Sequence, residues 1–444
     1  MGFFDKIFGS TQAETQNPDI RFGRYSDSYK PDEKYDEWDK SMSLFEEGNY
    51  KESFQHFFEY LTDASQNNVK TRTETDGLHF EILQGSKLIK GLIGERMIKA
   101  EAKVAHAEEL SIGFLRRMME LNFSLKYCRY ALDDDDNLTL IFDSYLLDGS
   151  PYKMYQALKE MAVSADKQDD LLVGEFETLK PINTGHLIPI PEEQKSVKIA
   201  FIRSRIARVF KEIDSSKLNT EQYAGGVGYL LLDLAYRIDY LVRPEGELTE
   251  ALERIHRVYF ANDNKSSAQK NRAVRKEFEK ILERSDEDLK SELYVVSSSF
   301  GITKASTHEQ LVSFIDSELK NMDWYIENRH FEMALAFPGY IAGYGLFNYA
   351  FQPPIQELLH LYYRITEPEY FKDLGFTPQY YSPESGTLDK RAITKTLEAW
   401  KDRHDSKFPK LKPDTGSLQV DTMTSFTRSY FKMIKRLDMT KAAK

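Results

Sequence analysis

The spacing of apolar residues changes near residue 180. Before this point, residues 78–83 alternate apolar and polar side chains, which is typical of a half-buried strand. After it, residues 199–213 and 223–242 carry apolar side chains every three or four positions, the period of a helix. The segment between the two patterns contains residues that interrupt regular structure, namely Pro181, Gly185, Pro189 and Pro191.

This change divides the chain into two bodies. At 444 residues the sequence is long enough for at least two domains. Its 41% of hydrophobic and 30% of charged residues indicate globular rather than disordered structure. We therefore predict an α+β protein with an α/β sandwich domain over 70–175, a linker over 176–195 and a larger all-helical domain over 196–440.

Charge and cysteine content limit the classes of partner. The formal net charge of −11 repels a polyanion, and no long basic stripe offsets it, so nucleic acid is not expected as a partner. The single cysteine, Cys128, cannot form an internal disulfide, which suits a reducing compartment. No apolar run reaches the roughly 18 to 20 residues that cross a bilayer. These features predict a cytoplasmic protein.

The first residues form a small amphipathic patch. Phe3, Phe4, Ile7 and Phe8 are at helical spacing, and the polar stretch 10–34 that follows is predicted as a linker. Residues 1–34 are therefore interpreted as an amphipathic N-terminus and linker. The patch is a candidate contact to a protein partner or, weakly, to the inner membrane surface. Docking on the body of the same chain is the alternative.

Residues 35–61 predict a helical hairpin, which we assign to a unit over 35–68. Aromatic and leucine side chains recur at helical spacing on both sides of Gly48 and Asn49. The segment from Glu47 to Ser53 resembles the turn between the helices of a tetratricopeptide repeat. Because such arrays need about three repeats to bury a core, one unit predicts an accessory hairpin, with a repeat array as the alternative.

The next segment predicts three strands, a helix, a hairpin and a helix. The three strands lie within 78–107, and the helix runs from about residue 108 to 122 with its apolar face at Leu110, Phe114, Met118 and Leu121. Residues 124–132 and 138–143 flank an acidic turn and form the hairpin. Ser150 and Pro151 then suit the N-cap and first turn of the last helix.

This order of elements and several of its sequence segments resemble the YbjN family. The resemblance rests on Phe114-Leu-Arg-Arg-Met-Met-Glu-Leu-Asn122, Tyr127-Cys-Arg-Tyr-Ala-Leu132, the acidic turn, Leu138-Thr-Leu-Ile-Phe142 and Ser150-Pro151, within residues 78–172. That family shares its fold with the class I chaperones of type III secretion. The resemblance implies a chaperone-like α/β sandwich, often dimeric, that binds client peptide segments and carries no catalytic residues.

Two glycine-containing helical segments in the second half look alike. Residues 225–236 and 339–350 both place small residues about one turn apart and follow them with large apolar ones. Because glycine lowers helix stability by about 1 kcal/mol relative to alanine, its clustering indicates close backbone approach. We predict that Gly228 and Gly343 lie at close helix crossings and that the two helices cross each other. A duplicated unit is the open alternative.

Motifs for catalysis or cofactors are not recognised. Residues 225–228 do not follow a strand and lack the Gly-Lys-Ser/Thr of a phosphate loop. The acidic run 133–136 lacks the later ligands of a calcium loop, and no histidine pair has helical metal spacing. Cys128, within a predicted strand, is interpreted as a buried thiol. No catalytic, cofactor or metal residues are therefore assigned.

Aromatic side chains are densest over 337–381. Tyr340, Tyr344, Tyr362 and Tyr363 are the candidate lining of a groove, although tyrosines also form ordinary cores. Taken together, the sequence and the resemblance to YbjN proteins predict a non-catalytic protein-binding protein of a bacterial cytoplasm, chaperone-like or an adaptor. It would bind a protein client or complex partner and self-associate through its α/β domain. The alternative is an enzyme of unknown reaction with its site in 337–381.

Overall fold

The N-terminal part of the structure is a helical hairpin. The computed structural model describes residues 17–182, 185–215 and 220–442. Helices α1 (Asp32–Glu46) and α2 (Tyr50–Leu61) meet at Gly48, whose φ of +84° suits glycine. The Ser53 hydroxyl donates a 2.7 Å hydrogen bond to the Ser41 carbonyl, and both residues are buried. The small residues therefore let the helices approach closely, which confirms the predicted hairpin.

A seven-stranded antiparallel sheet follows. Its strands are β1 (Val69–Glu74), β2 (Gly77–Gln84), β3 (Lys87–Ile93), β4 (Met97–Ala107), β5 (Arg129–Leu132), β6 (Asn137–Tyr145) and β7 (Leu179–Pro181). The order is β1-β2-β3-β4-β6-β5, and β7 pairs with β4. The sequence missed β1 because its residues Val-Lys-Thr-Arg-Thr-Glu lack alternating apolar side chains.

Two helices complete this part, which we call the α/β region (residues 32–181). They are α3 (Ile112–Ser124) and α4 (Pro151–Glu175), and the Ser150 hydroxyl caps α4 by accepting from the Lys153 amide. Leu78, Phe80 and Ile82 alternate inward from β2 and share a core with α2 and α4. The opposite face of the sheet is solvated, as is usual for antiparallel sheets.

The described residues from 188 to 442 form the helical half. Its helices are α5 (Glu192–Ser215), α6 (Ala224–Val242), α7 (Gly246–Phe260), α8 (Ser267–Glu283), α9 (Asp286–Ser291), α10 (His308–Leu319), α11 (Met322–Glu327), α12 (Phe331–Asn348), α13 (Pro353–Thr366), α14 (Pro368–Asp373), α15 (Lys390–His404) and α16 (Met423–Lys435). The described chain therefore has the predicted mixture of helix and antiparallel sheet. No helix within its described residues is long and apolar enough to cross a membrane.

Helices α6 and α12 pack against each other at the centre of the helical half. A methyl group on Gly343 would lie 2.6 Å from Cβ of Tyr236, and one on Gly339 would overlap the Asp233 carboxylate. These contacts confirm that the two glycine-containing helices cross. Gly228 instead faces the hydroxyl of Tyr259 on α7, which a methyl group would approach to 2.1 Å.

The helical half is not entirely helical, so the all-helical prediction needs a correction. Short strand pairs join its loops, and they are β8 (Ile188–Pro189) with β9 (Tyr294–Val295), β10 (Lys304–Ala305) with β11 (Tyr349–Ala350), and β12 (Tyr381–Ser382) with β13 (Thr387–Leu388). The stretch 176–195, predicted as a linker, contributes β7 and β8. Leu179 is buried in the α/β core, which holds this stretch in place.

The two regions interlock through a loop of the helical half. Phe300 is buried in the core of the α/β region, against Tyr155 of α4. The Gln84 side chain accepts hydrogen bonds of 3.0 Å from the amides of Ser299 and Phe300. An isolated α/β region would therefore expose an apolar pocket that Phe300 now fills.

Residues 17–31, which we call the strap, also connect the regions. The strap contains no helix or strand, yet it packs across the helical half and reaches α4. Its polar composition led to the prediction of a linker, and its contacts correct that prediction. Phe3, Phe4, Ile7 and Phe8 lie outside the described residues.

Candidate protein-binding surface

Helix α3 presents a row of large apolar side chains to solvent. Ile112, Met119 and Phe123 are 87%, 74% and 94% exposed, and Leu115 is 44% exposed. Spacings of three and four residues place all four on one face of the helix. We call this row the α3 stripe. Scattered exposed apolar residues are normal, but a contiguous row is typical of an interaction site.

The opposite side of α3 is fixed to the α/β core. Phe114 and Met118 are buried, and the Phe114 ring lies edge-on to Phe176 at 5.7 Å. The Ser111 hydroxyl caps the helix by accepting from the Phe114 amide at 3.1 Å. These contacts hold the α3 stripe outward.

Helix α3 also closes the sheet edge at β5. The side-chain oxygen of Asn122 accepts from the Tyr130 amide at 2.6 Å, and its nitrogen donates to the Tyr130 carbonyl at 3.3 Å. Just before β5, the Glu160 carboxylate accepts from the amides of Lys126, Tyr127 and Cys128 at 2.7 to 2.9 Å. Because side chains satisfy the backbone groups of Tyr130 and the amides of residues 126–128, these positions are not free to pair with an added strand.

The other sheet edge is protected by charge. Residues 70–74 of β1 are exposed, and Lys70 and Arg72 project from its outer face. On the same face, Lys70, Glu81, Lys90 and Glu101 alternate in sign across four strands. Opposite charges side by side suit a solvated sheet face. The groove of about 560 Å³ beside this row, lined by Leu92, Lys99 and Ile141 among others, is part of that solvated face.

The two candidate tyrosine pairs lie in different places. Tyr340 and Tyr344 of α12 belong to an aromatic cluster with Tyr236, at ring-centroid distances of 6.1 and 5.9 Å. Tyr362 and Tyr363 of α13 are fully buried in the main core of the helical half. Burial raises the pKa of Tyr363 well above its usual value. The four residues therefore line no common groove.

A buried ionic network crosses the helical half. Arg237 forms a 2.8 Å ion pair with Asp233, and Glu367 accepts from both Arg237 and Arg205. Burial lowers the pKa of Arg205 to about 9, with the nearby Arg237 acting in the same direction. Each of these four charged groups has an oppositely charged partner, so the network links α5, α6 and the α13–α14 junction. Such mutual pairing is typical of a structural network that holds helices together rather than of a catalytic acid–base pair.

Three side chains with metal-ligand chemistry meet at the β1–β2 turn. His79 Nε2 lies 2.8 Å from Asp76 Oδ1 and 3.6 Å from Glu74 Oε2. Arg72 already pairs with Glu74, with Nε 2.5 Å from Oε1. The two carboxylates are exposed. This exposure and the competing guanidinium indicate hydrogen bonding within a turn, and we assign no metal to the cluster.

Cys128 is buried, as the sequence predicted. It lies just before β5, and burial raises the pKa of its thiol, with the Glu160 carboxylate acting in the same direction. A thiol with a raised pKa is mostly protonated near neutrality and is a poor nucleophile. The residue is therefore structural.

No protein-family model and no curated protein matches the sequence. The resemblance of residues 78–172 to YbjN proteins therefore stays a prediction.

Proposed function

We propose that the protein works by binding protein without catalysis, and that its α/β region self-associates through the α3 stripe. The observation that carries the proposal is the set of four exposed apolar side chains on a helix whose other side is fixed to the core. Water-exposed rows of this kind gain free energy when a matching apolar face covers them. The dimer would then serve as the body of an adaptor or chaperone-like protein in a bacterial cytoplasm.

The stripe is complementary to itself. In an antiparallel pair of α3 helices with a two-fold axis near the helix centre, Ile112 faces Phe123 and Leu115 faces Met119 of the second copy. This is the arrangement that an isologous dimer requires, since one surface patch must match itself. The stripe therefore favours a second copy of this chain over an unrelated partner.

Charges beside the stripe agree with that pairing. Arg116 and Glu120 lie along one side of the stripe, 3.2 Å apart within the chain. A two-fold axis brings the same side of both helices together, so Arg116 of one copy comes close to Glu120 of the other. Complementary charges at the rim of an interface fix its register and speed association.

The size of the stripe sets the expected strength. A helix of 13 residues is about 20 Å long, so a pair of α3 helices buries less than the roughly 1,600 Å² of a standard interface. We therefore expect a concentration-dependent dimer with a dissociation constant on the order of micromolar.

Sedimentation velocity over a concentration series tests the proposal. Phe123→Glu places a charge in the stripe and should leave the chain monomeric at about 100 μM, with an unchanged melting temperature because the side chain is 94% exposed. The matched control is Leu147→Glu, which charges a 70% exposed residue elsewhere in the α/β region and should leave the dimer intact. A wild-type chain that stays monomeric over this range, or equal effects of both variants, would contradict self-association through α3.

A further inference from the structure

The strap lies in a groove formed mainly by the helical half. It also contacts the α/β region, where Arg21 donates to the Gln66 side chain at 3.1 Å and the Tyr25 hydroxyl donates to Asp63 at 3.3 Å. Along its course, the Asn17 side chain accepts from the Thr377 amide at 2.8 Å, and the Tyr29 hydroxyl donates to the Ser306 carbonyl at 2.7 Å. Between these points the strap has neither helix nor strand, and most of its residues are only half-buried. It therefore resembles an extended ligand resting on a folded surface.

The ring of Phe22 fills an aromatic pocket. Its centroid lies 5.0 Å from that of His360, 5.4 Å from Phe371, 5.8 Å from Phe376 and 6.4 Å from Tyr240. These partners come from α6, α13, α14 and the loop after α14, elements that share the main core of the helical half. The pocket is therefore part of the helical half itself.

The next residue of the strap has to be glycine. The Gly23 amide donates to the Tyr240 carbonyl at 2.8 Å, and its φ is +67°. A side-chain carbon at this position would lie 2.6 Å from the Tyr240 ring. Both the backbone conformation and the close approach exclude a side chain.

Arg24 is held by two carboxylates and a ring. Its Nε and Nη2 donate to Asp239 at distances of 2.7 to 3.1 Å, and Nη1 donates to Glu253 at 3.0 Å. The guanidinium carbon lies 4.0 Å above the Phe347 ring. Burial alone would lower the pKa of Arg24, but the two carboxylates outweigh it and raise the pKa. Forked donors over a ring select arginine rather than lysine.

We propose that this groove is a binding site for an extended peptide with an aromatic–glycine–arginine triplet, and that the chain's own strap occupies it. Side-chain pockets at successive positions along an extended backbone are a usual mode of peptide recognition. Without the strap, the buried Asp239 would lose the cation that pairs with it, whereas Glu253 would keep Lys167 and Arg257, each at 3.4 Å. The buried Asp239 therefore favours an arginine ligand in the groove. The groove is separate from the α3 stripe and does not depend on self-association.

Covalent attachment explains why the chain's own strap occupies the groove in preference to a free peptide. A segment joined to the same chain has an effective concentration of about millimolar, so a free peptide competes poorly while the strap is attached. Release of the strap would expose the groove to a segment of the same chemistry. The test must therefore break the tether without removing the strap.

The experiment uses the full chain with a specific protease site inserted between Lys30 and Pro31. After cleavage, a fluorescent peptide of residues 17–30 is added in excess, and exchange is followed by anisotropy. We expect the nicked chain to keep its helical circular dichroism and to take up the peptide. A peptide with Arg24→Lys should bind about tenfold more weakly because the fork and its second carboxylate contact are lost.

The matched control peptide carries Asp19→Ala, a change at an exposed strap residue that should leave affinity unchanged. Absence of exchange in a folded nicked chain, or equal binding of the wild-type and Arg24→Lys peptides, would overturn the proposal. If nicking unfolds the chain, amide hydrogen exchange of the uncut Arg24→Ala variant distinguishes a removable strap from a strap that belongs to the core. Loss of protection confined to Gly23 and its neighbours supports a removable ligand, whereas loss that spreads through α6 makes the strap part of the core and overturns the site.

Discussion

The α/β region leaves its main apolar surface row exposed to solvent, whereas the helical half has its binding groove covered by the strap. On the α/β region, the α3 stripe leaves Ile112 and Phe123 in water. On the helical half, the aromatic pocket around Phe371 and the acidic pair Asp239 and Glu253 are covered by the strap. In the proposed account, the α/β region offers its exposed row to a second molecule, whereas the helical half already holds its ligand within the chain.

The largest expected effect comes from emptying the arginine site. Arg24→Ala leaves Asp239, which is 5% exposed, without its cation. Breaking a buried ion pair on one side lowers the free energy of unfolding by about 3 to 5 kcal/mol. Urea denaturation followed by circular dichroism measures this loss.

The control for Arg24 is Arg72→Ala on the exposed edge strand β1, where Arg72 is 74% exposed. A surface substitution of this kind should change stability by less than about 0.5 kcal/mol. Equal small effects of both variants would show that the strap contributes little and would remove the contrast between the two regions.

The crossing of α6 and α12 supports the groove, and overpacking it should have the next largest effect. Gly343→Leu forces a side chain into the Cβ of Tyr236, so we expect a loss of about 1 to 3 kcal/mol in the free energy of unfolding. Gly228→Leu meets the Tyr259 hydroxyl, the far end of a side chain, and should destabilise less.

Gly225 offers the matched control for both glycines. It lies in α6, but a methyl group there meets no atom within 4 Å. Gly225→Ala should therefore keep or slightly raise stability, by up to about 1 kcal/mol, because alanine favours a helix. A cost similar to that of Gly343→Leu would contradict the close-crossing account.

Acid should weaken the aromatic pocket of the strap. Burial, with Arg364 acting in the same direction, lowers the pKa of His360 to about 3, so the folded state binds a proton less readily than the unfolded state. The stability that neutral, buried His360 contributes to the fold is fully present above the unfolded-state pKa of about 6.5. This stability declines as the pH falls below that value. Between pH 7 and pH 5 we expect about 1 to 2 kcal/mol of lost stability from this residue.

Substitution isolates that residue from the many carboxylates. His360→Phe keeps a ring beside Phe22 and should flatten the dependence of urea midpoints on pH over this range. Phe371→Leu alters the same pocket without removing a titrating group, so it should lower the urea midpoints but leave their dependence on pH unchanged. If the urea midpoints of His360→Phe depend on pH as strongly as those of the wild-type chain, residues other than His360 cause the pH effect.

The smallest effect concerns the rim of the α3 stripe. Arg116→Glu places like charges next to each other across the proposed two-fold axis. Exposed ion pairs contribute about 0.2 to 1 kcal/mol, so the dissociation constant should rise only a few-fold. Mixing Arg116→Glu chains with Glu120→Arg chains should restore association, and failure to do so would contradict the antiparallel register.

Periodic apolar spacing predicted the regular elements well. The hairpin around Gly48, the strand 97–107 and the Ser150 cap of α4 follow from local chemistry that acts within a few residues. The strap could not be predicted, because Phe22 and Arg24 find partners more than 200 residues away and no local period marks them.

The α3 stripe was missed for a different reason. The sequence placed the apolar face of this helix at Leu110, Phe114, Met118 and Leu121. Phe114 and Met118 are buried and Leu121 is partly buried, but Leu110 precedes the helix and is 41% exposed. Apolar residues also lie on the other face of the helix. With apolar side chains on both faces, only the position of the core decides which row stays in water. The tyrosines of α13 were assigned to a groove because composition does not distinguish a lining residue from a core residue.

Disulfide cross-linking tests the central claim most directly, since it reports which side chains meet. Chains carrying Ile112→Cys are mixed with chains carrying Phe123→Cys under mild oxidation, with the native Cys128 buried and protonated. The account predicts that the mixed disulfide forms much faster than either homodimer, because antiparallel helices place residue 112 opposite residue 123. Predominant homodisulfides, or cross-linking no faster than that of a Leu147→Cys control, would contradict self-association through the α3 stripe.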